Sequence, residues 1–190
     1  KYKNEEIKTQ VLETKLKALE NELNPHFLFN ALNSVSELIY VDQKKAEIAV
    51  IEISKFLRNA INKDSLISLE TELSMVKTYV NIENVRFDEK INLQIEDFEK
   101  VKTIKVPKFS IQLLVENAIK HGFIGINLNI SIKFEENNII VSNDGKLTEN
   151  LKFATGLSNL QKRLELQRVG DLEYKIEDKK MKFIIKIKDL

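Results

Sequence analysis

The sequence predicts an α+β protein in two parts: a helical hairpin over residues 1–65 and an α/β sandwich with a mixed sheet over residues 66–190. Three observations predict it. All five glycines (Gly122, Gly125, Gly145, Gly156, Gly170) lie beyond residue 120, and only Pro25 and Pro107 interrupt the residues before them. That long stretch, rich in Leu, Ile, Glu, Lys and Asn, reads as helix. Leu12, Leu16, Leu19 and Leu23 recur at alternating four- and three-residue steps, a short coiled-coil seam. Near Ile91, Leu93 and Ile95 the apolar period changes to two, the period of a half-buried strand.

Taken in order, the seam helix is expected to run on through Asn24-Pro25-His26-Phe27-Leu28-Phe29-Asn30. A second amphipathic helix, about Ala46 to Ile61, carries Ile48, Ile51, Phe56, Leu57 and Ile61, with a polar turn near Asp42 and Gln43 before it. Such a hairpin cannot bury both faces alone, so a homodimer closing a four-helix bundle is expected. A third helix follows on Leu69, Leu73, Val76, Val80 and Phe87, then the strand at 91–95. Pro107 suits a first helical position, so residues 108–121 are predicted as a helix. Strands are predicted at 128–134, 138–142, 172–177 and 181–188, the last two joined by a turn near Asp178. A helix beginning at Gly156 and carrying Leu157, Leu160 and Leu164 lies between the two strand pairs. This mixed sheet should be covered by helices on one side.

Composition narrows the function. Lys+Arg total 30 and Asp+Glu 29, a net charge of +1, which argues against a broad nucleic-acid-binding face. The absence of cysteine removes disulfides, thiolate nucleophiles and cysteine metal sites. No apolar run approaches the roughly 18 residues of a membrane span, and no signal peptide is visible. The chain opens on Lys1 rather than Met, so a piece of a longer protein is expected, with room for a membrane segment upstream.

Three segments could carry chemistry. A proline inside a helix costs about 3 kcal/mol and frees a carbonyl. The adjacent His26 would then be accessible and, near neutral pH, substantially unprotonated, as a nucleophile must be; a core-facing His at a harmless bend is the plainer reading. Asn30, at i+4 from His26, shares its face. In Val115-Glu116-Asn117-Ala118-Ile119-Lys120-His121-Gly122, helical spacing puts Asn117, Lys120 and His121 on one face. An amide oxygen can ligate Mg²⁺ and the basic groups can meet phosphate, or the basic pair simply satisfies a helix end. The third segment is Ser142-Asn143-Asp144-Gly145 with Thr155-Gly156-Leu157, a polar loop and a glycine-started helix whose free N–H groups suit phosphate.

Together NPHFLFN (24–30), LETELSMVKTYVNIENVRF (69–87), VPKFSIQLLVENAIKHG (106–122), VSNDG (141–145) and TGLSNLQKRL (155–164) resemble the LytS-like sensor histidine kinases. The resemblance implies a dimeric helical bundle presenting His26 as phosphoacceptor, and a Bergerat-type (GHKL) ATP-binding domain. Asn117 matches the Mg²⁺-binding asparagine, with Lys120 and His121 toward the phosphates of ATP. Asn143 stands where an adenine-reading Asp is usual; Gly145, Gly156 and Leu157 would flank a lid over about 146–155. The implied partner is a response regulator, often of the LytTR type, which receives the phosphoryl group on an aspartate; Asn30 would assist its later removal. The implied location is the cytoplasmic portion of a membrane-anchored protein. Three positions depart from the pattern: Asn143-Asp144-Gly145 for Asp-Asn-Gly, Leu147 for a second glycine, and Ala154 for the first glycine of Gly-x-Gly-Leu. They leave open a second reading, a degenerate dimeric relay without phosphotransfer. A GHKL ATPase is disfavoured, because Leu113 occupies the place of its water-activating Glu.

Overall fold

Residues 25–61, 64–96, 98–149, 153 and 155–188 are described by the structure, a computed structural model. The leucine seam at Leu12–Leu23 lies outside them, as do the side chains of Pro25 and His26. By its contacts the chain divides into two units, residues 1–63 and 64–190.

In the first unit α1 (Pro25–Val41) and α2 (Gln43–Ile61) are separated by Asp42 alone. Asp42 Oδ1 accepts the Lys45 N–H at 3.0 Å, satisfying one of the orphan donors at the start of α2. Phe27, near the start of α1, meets Phe56, near the end of α2, edge to face at 5.2 Å between centroids. The two helices are therefore antiparallel. Their shared core is Phe27, Ala31 and Val35 against Ala46, Ala49, Ile53, Phe56 and Ala60.

This corrects the sequence expectation for α2. Ile48, Ile51 and Ile61 were expected on the packing face, yet they are 53%, 47% and 60% exposed. The alanine stripe lets the helices approach closely, so it wins the hairpin contact and leaves the isoleucines outside. Phe29, Leu32 and Ile39 on α1 are exposed as well. Among the described residues, no helix is long and apolar enough to cross a membrane.

The second unit begins with a pairing that the sequence did not suggest. β1 (Leu66–Ser68) and β3 (Lys105–Pro107) form a two-stranded antiparallel ladder, Ile67 opposite Val106. Pro107 therefore ends a strand instead of opening a helix. Three-residue strands are too short to show a period. Ser68 caps the next helix, its Oγ accepting from Thr71 N–H at 3.2 Å. That helix, α3 (Leu69–Arg86), packs on a five-stranded sheet ordered β2-β4-β5-β7-β6. Its strands are β2 (Ile91–Glu96), β4 (Leu128–Glu135), β5 (Asn138–Asn143), β6 (Gly170–Glu177) and β7 (Lys180–Ile187). The β2–β4 pair is parallel and the rest antiparallel, a mixed sheet.

The chain reverses at Phe109, held at φ 62°, into α4 (Ser110–Asn117), which runs straight into a π turn (Ala118–Gly122). The continuous helix expected over 108–121 is thus a shorter α-helix with a widened last turn. The last helix is α5 (Thr155–Leu166). Leu69, Leu73 and Val76 of α3, Ile111, Leu114 and Val115 of α4, and Leu157, Leu160 and Leu164 of α5 are buried. So are the inward residues of the sheet, Ile91, Leu128, Ile130, Ile132, Ile139, Val141, Leu172, Phe183 and Ile185. The opposite face carries exposed ion pairs such as Lys186–Glu173 at 2.6 Å and Lys188–Asp171 at 2.9 Å, which contribute little to stability.

Candidate functional site

The helix that carries Asn117 starts on a buried charge. Glu72, fully enclosed on α3, accepts the N–H groups of Phe109 and Ile111 at 2.9 Å and of Gln112 at 3.1 Å. A carboxylate placed there satisfies donors that begin the helix and lies at the positive end of its dipole. Burial pushes the Glu72 carboxyl up to about 7, against those three hydrogen bonds and the nearby Arg163 guanidinium, which lower it. Arg163, on α5, donates through Nη2 to the Lys108 carbonyl, so α5 also grips the turn into α4. Sequence reasoning passed over Glu72. The available signal was a carboxylate at i+3 from Leu69, on the apolar face of its helix.

At the other end of α4 the widened turn opens a cleft of about 520 Å³. π turns of this kind are frequent at functional sites. Of the residues singled out in the sequence, Asn117, Lys120, His121, Asn143, Gly156 and Leu157 all line this one cleft. Glu116, Lys146, Thr148, Thr155, Met181 and Phe183 line it too, and none of them was picked out beforehand. Asn117 Nδ2 donates to the Leu113 carbonyl at 2.9 Å, which fixes the amide's orientation. Its Oδ1 is left without a protein partner among the described residues. A lone hard oxygen suits Mg²⁺, which takes one or two protein ligands and completes its shell with phosphate and water. Among the described residues no cluster of three or more acidic or His side chains could hold a metal by itself.

Behind the cleft, Arg86 Nη2 pairs with Glu83 Oε2 at 2.7 Å. Burial raises the Glu83 carboxyl above its usual range; Arg86 opposes that, and the charge of Glu116 adds to it.

Gly145 is placed differently from expectation. It was assigned to the nucleotide, but it is not among the described residues lining the cleft. Instead it lies against the π turn. A Cβ built on it would stand 2.3 Å from the Gly122 carbonyl oxygen and 2.7 Å from Gly122 Cα, and Lys146 N–H donates to that same oxygen at 2.9 Å. Two backbones cross where any side chain would separate them. Gly145→Val is expected to lower stability by about 2 kcal/mol, read as a shift in the urea midpoint with unchanged slope.

The neighbouring pair divides its labour. Asp144 is turned onto Asn129, accepting from its N–H at 2.8 Å and its Nδ2 at 2.6 Å. Asn143 is buried, and its Oδ1 accepts the Gly145 N–H at 3.2 Å. The Asn-Asp order therefore puts the amide at the cleft and uses the carboxylate to tie down the loop. His26 and Asn30 belong to the other unit: both lie on α1, and Asn30 is half-buried.

The sequence profile of the histidine kinase family matches residues 14–91. The Sensor protein LytS of Streptococcus mutans serotype c is 35% identical over 173 residues, which is 80% of this chain and 30% of that protein. The Sensor protein LytS of Streptococcus agalactiae serotype V is 42% identical over 110 residues, 57% of this chain and 19% of that one. The Sensor histidine kinase/phosphatase LytS of Staphylococcus aureus (strain MRSA252) is 38% identical over 113 residues, 58% of this chain and 19% of that one. The chain thus spans between about a fifth and a third of the length of these relatives. The solved catalytic domain of histidine kinase ThkA overlaps at a TM-score of 0.46 with 24% identity, over 64% of this chain and 92% of that one; a similarity that loose carries no functional weight. The motif segments, the mixed-sheet fold and the LytS relatives agree, and the chain belongs to the LytS-like branch of the histidine kinase family.

Proposed function

We propose that this chain is the kinase core of a two-component sensor, which uses ATP to phosphorylate His26 and passes the phosphoryl group to an aspartate of a response regulator. The observation that carries the reading is the single cleft in which Asn117, Lys120, His121, Asn143, Gly156 and Leu157 meet. Leu113, Leu157, Met181 and Phe183 supply apolar wall for a base. Lys120, His121 and Lys146 supply positive or donor groups for a triphosphate. Phosphoryl transfer needs little from the protein beyond this positioning and charge neutralisation. Bound through Asn117 Oδ1, Mg²⁺ would neutralise phosphate charge. An unprotonated ring nitrogen of His26 attacks the γ-phosphorus; the P–N bond forms as the P–O bond to ADP breaks.

The nucleophile and the cleft belong to different units, so the reaction requires them to come together. The exposed apolar residues of the hairpin, Phe29, Leu32, Ile39, Ile48, Ile51 and Ile61, support a homodimer through residues 1–65, with upstream sequence anchoring the protein at a membrane. A LytTR-type regulator is the partner that the family suggests. Asn30, on the helix of His26, would orient a water for removing phosphate from that regulator, and the kinase/phosphatase name of the Staphylococcus aureus relative fits such a second activity. Asn30→Ala should then slow regulator dephosphorylation.

The test is incubation with γ-labelled ATP and Mg²⁺, followed by acid and base treatment of the product. An acid-labile, base-stable label is expected. Nucleotide binding without any label would instead favour a relay. Asn117→Ala is expected to weaken Mg·ATP binding about tenfold to a hundredfold, the loss of one contact to a charged group. Calorimetry at fixed Mg²⁺ reads this directly, and an unchanged affinity would remove Asn117 from the site.

A further inference from the structure

Asn143 closes β5 with only 3% of its surface exposed, and it stands in the cleft wall. Its Oδ1 accepts the Gly145 N–H at 3.2 Å. Only the oxygen of an amide can accept, so this bond fixes which way the side chain lies. Nδ2 has no protein partner among the described residues, and it is not sealed away from the cleft. A carbonyl oxygen has two lone pairs, so Oδ1 can accept once more. Asn143 therefore offers a donor and an acceptor side by side. From so buried a position, a ligand that leaves either one unmatched binds at a cost.

The six-membered edge of a purine carries the complementary pair. Adenine has an amino donor at C6 beside an acceptor at N1; a 6-oxo purine has an acceptor at C6 beside an N1–H donor. A carboxylate at this place is acceptor only. It would suit the amino group and repel the oxo group. The amide suits both: Nδ2 can give to the oxo oxygen with N1–H on Oδ1, or to N1 of adenine with the amino group on Oδ1. The two seatings differ by a slide of the ring in its own plane. Asp144, tied to Asn129, brings no carboxylate to this edge.

We propose that Asn143 makes the cleft tolerant of 6-oxo purine nucleotides, so that the chain takes inosine or guanosine triphosphate alongside adenosine triphosphate. The inference rests on the nucleotide reading of the cleft. Inosine triphosphate is the clean probe, since it differs from ATP only at C6 and N1 and lacks the extra amino group of guanine.

The experiment titrates the whole chain and its Asn143→Asp variant with ATP and with inosine triphosphate at fixed Mg²⁺. Wild type is expected to bind the two within about fivefold of each other, whereas the variant favours ATP by about tenfold or more, as expected when a charged acceptor replaces a neutral one. A wild type that prefers ATP by more than about fivefold overturns the proposal, whether or not the variant folds. A variant that folds and keeps the wild-type ratio overturns it too. Binding of neither nucleotide by wild type defeats the nucleotide reading itself, which separates that failure from a failure of base tolerance alone.

Discussion

His26→Gln is expected to abolish acid-labile labelling completely while leaving folding and nucleotide affinity at wild-type values. Phosphohistidine needs an imidazole nitrogen, and an amide cannot replace it as a nucleophile. The only other histidine, His121, lines the cleft itself, where the proposed role is contact with phosphate. The residue substituted lies in a different unit from the cleft, so the two properties should separate. Labelling of intact protein after acid and base treatment, paired with an ATP titration of the same preparation, checks both halves. Full labelling of the variant would move the nucleophile elsewhere, and loss of ATP binding would mean that the two units do not behave independently.

Glu72→Ala should produce the largest loss of stability. The substitution strips acceptors from three N–H groups, those of Phe109, Ile111 and Gln112, at a site with no exposure. A buried donor left unpaired costs about 1–3 kcal/mol. Removing a desolvated charge offsets part of that sum, so a net loss of about 3 kcal/mol is expected. Because α4 ends on Glu116 and Asn117, nucleotide affinity should fall with it.

The same carboxylate sets a pH dependence. Its folded value of about 7 lies above the ordinary 4.5, so the folded state holds this proton more tightly than the unfolded one. The contribution is fully present below pH 4.5 and is lost as pH rises through 7, about 3 kcal/mol over that window. Urea melts across the window should show wild-type stability falling with pH, and Glu72→Gln should flatten the curve. An unchanged slope in Glu72→Gln would mean that another group titrates.

The sequence by itself determined the family and the order of the elements. It could do so because periodicity, glycine placement and compact motifs are local properties. The leucines of α5 and the alternation along β4 and β7 record which face each element buries, and burial leaves a period in the chain. The residues around Asn117 and Asn143 were legible for the same reason, since each motif is contiguous. Tertiary structure alone decided what depends on long-range contact. Glu72 meets its three amides across some 40 residues of sequence. β1 and β3 exist only because each finds the other. Gly145 serves a backbone crossing with Gly122 and stands outside the cleft. The choice between the alanine and isoleucine stripes of α2 was likewise unreadable, because two apolar faces on one helix look alike until one of them is packed. Of Asn143 and Asp144, adjacent and nearly isosteric, only the strand's pleat settles which faces the cleft: neighbouring side chains leave a strand on opposite sides.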